Sequence, residues 1–577
     1  MDQHSGKLPS ESAPSTDSMR ISSEPRLLFA NGVFAITVPR AYPHAEGFIR
    51  SCLNEHGFAY SVQSSTPDTA VLYSQEPFAA VSFYQIANEA ARKALQHIKE
   101  GIDQSEALEG KDYGIDELWP FQRANLDYAL QRRRTLIGDE PGLGKTITAI
   151  AYANKIEARS VLVICPATIR FQWKDRIEQW TQIRPYRVYV IRSGKHGVIP
   201  PAPTTAVWNV LSYELSHNRS IYEALIQRQW DLIILDEPHF LKSGSARRTQ
   251  AIFGGGRFKK GIFEVCKHAL GLTGTPMLNR PRELYTIIRA FCWDAIDFMS
   301  YDRFCATYNP TPSMQIKTKY GYKAVPDFKR STTRRLYELQ ARLRYHFMVR
   351  HVKRGPRGVM NQLQMPVYDL IRVEKTDVIK QALQVESLLQ IDLNMLDAYS
   401  GEILGHIAAA RQQMGLAMAP QVADYVATLI ESGEQKLVLF GWHTAVLDDL
   451  QLRLRKFGVL RIDGSTPINQ RPQITKQFIE DDSIHILLGN ALSLGIGTDG
   501  LQMVCNHALI VEPDWTPATN IQCFDRLDRG GQKRQVQGEI FVAPDSIAER
   551  ILARALQKLH VIHNTLDAKI DLDKLAQ

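Results

Sequence analysis

Nowhere in this chain do two cysteines stand as Cys-x-x-Cys. None of the seven present (Cys52, Cys165, Cys266, Cys292, Cys305, Cys505 and Cys523) neighbours a histidine cluster that would complete a zinc site. A structural or catalytic zinc centre is therefore not expected, and thiols so widely spaced point to reduced, mostly buried side chains of a cytosolic or nuclear protein. No apolar run approaches the ~20 residues that span a bilayer, and the first residues carry no apolar signal core. Neither membrane insertion nor secretion is expected. What is present is mass and an ordinary apolar fraction: 577 residues, enough for about three to five domains with sizeable cores.

The charge excess is modest but uneven. The chain carries +8 overall, yet between Lys317 and Arg357 thirteen Lys or Arg face only Asp327 and Glu338, a local +11 that leaves −3 for the remainder. Tyr320, Tyr322, Phe328, Tyr337, Tyr345 and Phe347 are interleaved there. That composition suits a surface tracking a phosphate backbone, although a solvated helical face is the commoner fate of a charge run.

Residues 1–25, rich in Ser and Pro, are expected to be a disordered tail. Residues 26–110 read as a small α+β accessory unit, with strands over Val33–Val38 and Ala70–Tyr73 and an amphipathic helix over Tyr84–Ile102. Aliphatic strands then alternate with helical patterns, the signature of parallel sheets covered on both faces. One lobe is expected over 111–290, with strands near Thr135, Val161, Asn209, Leu232 and Ala269. A second is expected over 434–545, with strands near Leu437, Val459, Ile484, Ala508 and Glu539. Residues 291–433 read as a mainly helical, basic insertion between the lobes, and 546–577 as a C-terminal helix.

Three local patterns carry chemistry. In TLIGDEPGLGKTITAI, Thr135–Ile150, a short strand meets a glycine-rich turn and then a helix. Gly142, Leu143 and Gly144 turn backbone N–H groups toward phosphate oxygens, Lys145 adds a point charge, and the Thr146 hydroxyl suits magnesium. The strict phosphate-loop pattern wants glycine at position 139, where this chain has Asp139. Asp236 and Glu237 follow the apolar run Leu232–Leu235, at the edge where parallel sheets bind ligands. Asp236 suits a magnesium ion, and Glu237 suits orientation and activation of an attacking water. In IQCFDRLDRGGQ, Ile521–Gln532, helical spacing places Gln522, Arg526 and Arg529 on one face. An arginine delivered to a γ-phosphate is worth roughly 10³ to 10⁵ in rate, whereas ion pairing with Asp525 and Asp528 is the bland alternative.

In order along the chain stand LWPFQ (from Leu118), GDEPGLGKT (Gly138), VICPATIRFQW (Val163), LSYE (Leu211), LDEPH (Leu235), LTGTPMLN (Leu272), RIDGST (Arg461) and EPDWTPATNIQCFDRLDRGGQ (Glu512). In this ordered set the chain resembles the Swi/Snf-type branch of superfamily 2 helicases, DNA-dependent ATPases, over roughly residues 113–545. The resemblance implies an α/β architecture of two RecA-like parallel-sheet lobes, with ATP and Mg2+ as cofactors. It implies that Gln122 recognises adenine, that Gln522 joins the nucleotide site, and that Lys145, Asp236, Glu237, Arg526 and Arg529 are catalytic, the last two as arginine fingers. Thr146 and Asp236 would hold the metal, and Thr273, Gly274, Thr275 and Asp499 would couple nucleotide to DNA. Thr168, Ser212, Ser465 and Trp515 would face the nucleic-acid groove. From the basic segment, Arg334, Arg335, Arg342, Arg344, Arg350 and Lys353 are further nucleic-acid candidates. Trp173, Trp442 and Trp515 fit a core role equally well. Pro238, Asp499, Asp528 and Gly530 depart from the usual family residues, which bears on coupling and not on phosphate chemistry.

The resemblance thus implies an ATP-dependent translocase on double-stranded or branched DNA, remodelling or reannealing DNA structures or displacing bound proteins, nearest to the compact annealing-helicase branch. A strand-separating DNA or RNA helicase and a nucleotide-gated DNA-binding module with weak hydrolysis remain alternatives. The N-terminal unit leaves room for a protein partner, and oligomeric state is not readable. With no chromatin-reader module recognisable, a cytoplasmic bacterial or viral setting is expected, or a nuclear one in a eukaryote.

Overall fold

The computed structural model describes residues 24–115, 117–193, 205–277, 280–318, 321–327, 330–389, 401–494 and 499–553. The tail expected over 1–25 lies almost wholly outside them, as do residues 554–577 of the expected C-terminal helix; residues 547–553 are helical.

The N-terminal unit is an antiparallel sheet of β1 (Arg26–Ala30), β2 (Val33–Pro39), β3 (Ala59–Tyr60) and β4 (Thr69–Ser74), in the order β1-β2-β4-β3. Asn31 and Gly32, with φ of 51° and 77°, make the two-residue hairpin turn between β1 and β2. The helix Glu89–Ser105 begins at Asn88, whose side chain accepts the Ala91 N–H at 2.8 Å. It buries Ala91, Leu95 and Ile98 against Leu27, Ile36 and Phe83.

The first lobe is built on strands whose central members, with almost no polar alternation, are buried on both faces. They are β5 (Arg134–Ile137), β6 (Ser160–Cys165), β7 (Tyr186–Val190), β8 (Ala206–Ser212), β9 (Trp230–Asp236) and β10 (Cys266–Leu272), joined by the short β13 (Met348–Val349). All are parallel, in the order β13-β5-β10-β9-β6-β8-β7. The second lobe is also all parallel: β14 (Val367–Arg372), β15 (Leu437–Gly441), β16 (Val459–Ile462), β17 (Ile486–Asn490), β18 (His507–Ile510) and β19 (Gln537–Val542), in the order β14-β19-β18-β15-β17-β16. Two α/β lobes with RecA-like parallel sheets stand as expected.

The helical insertion expected over 291–433 takes a different form. β13 completes the first sheet and β14 the second, so the chain crosses between lobes within residues 350–366. Before the crossing, a two-stranded hairpin, β11 (Ser313–Thr318) with β12 (Gly321–Pro326), interrupts the helices. After it, the helices Asp377–Leu388 and Gly401–Glu431 pack Ile379, Met414, Met418 and Val422 into the second lobe's core beside Leu437 and Leu439.

In the basic segment, Arg342, Arg344, Arg350 and Lys353 are buried and do not form the exposed nucleic-acid face expected from its charge. Its helix Leu336–His346 is the seat of the N-terminal unit. Ala341 enters that unit's core, Tyr337 stacks on His56 with ring centroids 4.7 Å apart, and Tyr345 bonds His97. Arg342, 2% exposed, is shared among Glu338 (2.8 Å), Glu76 of the N-terminal unit (2.9 Å) and Asp297 (2.9 Å). Arg344 is buried and donates to the Arg350 carbonyl at 2.8 Å, and Arg335 lies 3.6 Å from Glu338. Among the six basic candidates, only Arg334 is exposed. The physical reason is that the cationic charge is answered internally by carboxylates and carbonyls, several of them far away in sequence.

Truncating Arg342 strands Glu338, which is 1% exposed, without its closest cation. Arg342→Ala is expected to cost about 3 to 5 kcal/mol, read as a lowered denaturant midpoint. The salt slope of DNA binding should stay parental, because the side chain faces no solvent.

Candidate active site

The Gly138–Lys145 turn joins β5 to the helix Lys145–Lys155. Gly142 and Gly144 hold φ of 85° and 71°, which L residues rarely adopt. Both are also crowded. A Cβ on Gly142 would lie 2.7 Å from the Arg529 Cβ, and one on Gly144 2.4 Å from the Gln122 Nε2. Lys145 folds back, its Nζ donating to the carbonyls of Asp139 (2.7 Å) and Glu140 (3.2 Å). Thr146 occupies the first turn of the same helix.

Gln122 is 2% exposed, with its amide turned onto the loop: Nε2 donates to the Leu143 carbonyl at 3.0 Å, and Oε1 accepts the Trp119 N–H at 2.9 Å. The expected adenine contact therefore requires this amide to leave the loop. In the arrangement described here, Gln122 braces the turn.

Asp236 ends β9, and Glu237 follows with φ 58°, a left-handed conformation costly for a non-glycine residue. Surrounding contacts hold the pair. The Trp173 indole donates to Asp236 Oδ2 at 2.7 Å, and the Tyr213 hydroxyl to the Asp236 carbonyl at 2.8 Å. Thr273 Oγ1 donates to Glu237 Oε2 at 2.6 Å, and His239 Nδ1 lies 3.1 Å from the same oxygen. Trp173 is thus both core and site, since its ring is buried while its one polar atom reaches a carboxylate.

Burial, and then the Glu237 charge, push the Asp236 carboxyl up to about 7. Burial raises Glu237 as well, but the His239 hydrogen bond and charge, with Lys145 and Thr273, bring it below its ordinary range. Two adjacent buried carboxylates, with Lys145 spent on loop carbonyls, form a donor set that fits a hard divalent cation.

From the second lobe come Arg526 and Arg529. The helix here is shorter than expected, covering Pro517–Phe524, so Gln522 lies on it while both arginines follow in turns. The helix gives out where Asp525 and Asp528 are drawn to Lys353 and Arg354 of the interlobe crossing. The arginines nevertheless converge. Burial, then the Arg529 charge, lower the Arg526 guanidinium to about 9. Arg529 donates to the Asp525 carbonyl at 3.0 Å and pairs with Asp499 at 3.1 Å. Asp499 also binds Arg176 of the first lobe.

Residues 350–354 connect these parts. Arg350 donates to the carbonyls of Gly138 and Gly274, the Glu140 N–H to the His351 carbonyl (3.0 Å), and the Lys353 N–H to Glu140 (2.6 Å). Lys353 Nζ, 2% exposed as a residue, is held by Asp525 and, at 3.1 Å, by Asp528. Arg350 and Lys353 thus belong to an internal crossbar and not to the nucleic-acid surface expected of them. Thr273 is buried, Thr275 N donates to its hydroxyl at 3.1 Å, and Gly274 sits tightly on Pro141 of the glycine-rich loop. Ser212 ends β8 and is buried, and Thr168 lies in the turn after β6. Ser465 donates to Asp463 at 2.6 Å, and Arg411 lies over the Trp515 ring at 4.9 Å.

The description "SNF2-related domain" fits residues 81–415, and "helicase conserved C-terminal domain" fits residues 421–531. The chain is similar to the DNA annealing helicase and endonuclease ZRANB3 of Bos taurus, 28% identical over 467 residues, covering 78% of this chain and 41% of that protein. It is similar to a SWI/SNF-related matrix-associated actin-dependent regulator of chromatin subfamily A-like protein 1 homolog of Caenorhabditis elegans, 26% identical over 468 residues, covering 78% and 62%. The Xenopus tropicalis protein of the latter type is 28% identical over 454 residues, covering 77% and 44%. The chain spans between 41% and 62% of these relatives' lengths. All three are animal proteins, and they lend no support to the expected bacterial or viral setting. Among the described residues, no helix is long and apolar enough to cross a membrane.

The raised Asp236 carboxyl has a consequence for stability. Its folded value, about 7, exceeds the ordinary 3.8, so the folded protein holds this proton more tightly than the unfolded chain. Without divalent cation, the stability due to Asp236 is fully present below about pH 4 and lost as pH rises through about 7. Urea midpoints across that window should show a decline that Asp236→Asn removes. Trp173→Phe, which keeps an aromatic side chain but deletes the N–H, should move the decline to higher pH.

Proposed function

The chain belongs to the SNF2-related family, and from that premise we propose that it is a DNA-dependent ATPase translocating along double-stranded or branched DNA. The work done would be remodelling or reannealing of DNA structures, or displacement of bound proteins. One observation carries the reading: Arg529, from the second lobe, sits against Gly142 of the glycine-rich turn of the first. A γ-phosphate cradled by that turn would therefore lie at the seam, within the range of a guanidinium whose position depends on how the lobes close.

The roles follow from the side chains. Lys145 exchanges the Asp139 and Glu140 carbonyls for phosphate oxygens, which are stronger acceptors for an ammonium. Glu237, ionised and fixed by Thr273 and His239, orients the attacking water. Thr146 and Asp236 would hold Mg2+, which neutralises phosphate charge when bound. Arg529 must leave Asp499 to reach the nucleotide, and Arg526, buried beside it, supports the same charge. Because Asp499 also pairs with Arg176 across the seam, releasing Arg529 alters an interlobe contact, which ties hydrolysis to lobe movement. Thr273, Gly274 and Thr275 lie between Glu237, Pro141 and Arg350, where a change at the nucleotide reaches the crossbar. Thr168, Ser465, Trp515 and the exposed Arg334 are assigned to the nucleic-acid groove. Contacts of this kind address the backbone and imply little sequence preference.

A second reading is favoured by the same Asp499 tie: a nucleotide-gated DNA clamp in which Arg529 stays parked and turnover is weak. Turnover measured without nucleic acid and with single strands, duplex, forked DNA and RNA, followed by triplex displacement, separates the readings. A translocase shows duplex-stimulated turnover and displaces the third strand. A clamp shows background turnover with nucleotide-dependent DNA affinity, and strand release from a fork would instead mark a separating helicase. Lys145→Ala, Glu237→Gln and Arg529→Ala are each expected to lower stimulated turnover by at least about 10³-fold with unchanged circular dichroism. Parental turnover by a folded Glu237→Gln protein would refute the assignment of the water-activating base.

A further inference from the structure

Asp139 is an acid where a phosphate loop ordinarily has glycine. Asp139 is wholly buried. Its Oδ2 accepts the Asn125 side-chain N–H at 2.6 Å, and its Oδ1 faces His351 twice, accepting the backbone N–H at 2.8 Å and meeting the ring Nδ1 at 3.1 Å. The opposite ring nitrogen, Nε2, lies 3.0 Å from the carbonyl oxygen of Ala107, just past the end of the Glu89–Ser105 helix. His351 is itself 3% exposed, with its ring against Phe121 at a centroid distance of 5.4 Å.

Each ring nitrogen thus lies within hydrogen-bonding distance of an oxygen. Two oxygens on opposite sides make the ring a bridge between a carboxylate and a carbonyl. The Asp139 environment agrees: burial disfavours its ionised form, but the His351 charge and hydrogen bonds, with Lys145, hold its carboxyl below the ordinary range. The backbone of the same residue carries the Lys145 ammonium on its carbonyl. A single residue of the loop thus takes the phosphate-binding lysine on one group and the imidazole on another.

Resting on the nucleotide-site reading, we propose that His351 is a positioning residue that couples the seating of the N-terminal unit to the conformation of the phosphate loop, and so to nucleotide affinity. The unit is held against the first lobe by the Leu336–His346 helix, with Gly101 of its long helix closely facing Tyr345. When the unit sits in place, the Ala107 carbonyl fixes the ring, the ring fixes the Asp139 carboxylate, and the loop presents Lys145. When the unit shifts, Nε2 loses its acceptor and the buried pair must rearrange. Residues 26–110 would then act on the ATP site without touching nucleotide. No residue of that unit needs to reach the phosphates.

The test uses the full chain and Mg·ADP as the probe, with binding followed by calorimetry and turnover followed separately. His351→Gln keeps a polar side chain that can donate in only one direction. It is expected to weaken Mg·ADP binding and raise KM for ATP by about tenfold, with kcat at saturating ATP and duplex within about threefold of parent. Gly101→Leu places a side chain where a Cβ would already lie 2.5 Å from Tyr345 Cδ2, displacing the unit without altering any residue of the loop. It should reproduce the affinity loss. If the two changes act through one path, the double variant loses little more than either single one. A His351→Gln protein that is less stable yet binds Mg·ADP like the parent would overturn the proposal. So would a double variant whose loss is the product of the single losses. A parental protein that binds no Mg·ADP would instead sink the nucleotide-site reading itself, and this inference with it.

Discussion

The seam between the lobes depends on five residues, Arg350 to Arg354, whose cations and backbone are shared among parts that must move together. Arg350 clasps the carbonyls of Gly138 and Gly274, His351 engages Asp139, and Lys353 and Arg354 engage Asp525 and Asp528 on the arginine-bearing turn. Exposed surface ion pairing has no part in the Lys353–Asp528 contact, since Lys353 is 2% exposed and Asp528 4%. Buried ions that lose one partner leave the other uncompensated, at a cost of about 3 to 5 kcal/mol. The crossing segment therefore acts as a strut: displacing either end exposes charge that the other end cannot satisfy.

The same constraint explains why Arg342, Arg344, Arg350 and Lys353 add nothing to a basic surface. Net charge counts residues, whereas the potential at a surface depends on which charges reach solvent and which are already answered. Arg342 alone meets three carboxylates, two of which, Glu76 and Asp297, lie outside the basic segment. Interleaved aromatics follow suit. Tyr337 and Tyr345 pack on His56 and beside Gly101, fastening the N-terminal unit and not a strand of nucleic acid. Arg342, Tyr337 and Tyr345 are features of an internal interface.

Most of the central strands were legible because residues such as Val161–Cys165 and Leu437–Phe440 are apolar without alternation, as strands covered on both faces must be. Of the edge strands, β16 was legible at Val459, but three others were not. β7 alternates in exposure, β14 is largely exposed, and β13 has two residues, so none presents a long apolar run. β1 carried a readable signal in Asn31–Gly32, a dipeptide favoured in two-residue hairpins. In the site, the glycine-rich turn and the Asp236–Glu237 pair were visible as local patterns. Their supports Trp173, Tyr213 and His351 were not, because each reaches the site by hydrogen bonds across a large sequence separation.

By itself the sequence determined the two parallel-sheet lobes, the family and the residue types brought to a nucleotide, since these follow from short-range hydrophobic patterns and contiguous motifs. Only the tertiary structure decided where the lobes divide, which cations are consumed internally, and what Asp139 does in a loop that usually has glycine. The division has a physical cause. Helices, turns and buried strands are specified by neighbours within a few residues, but the partner of a buried charge is specified by the fold, which brings Asp139 to His351 and Lys353 to Asp525 across more than a hundred residues.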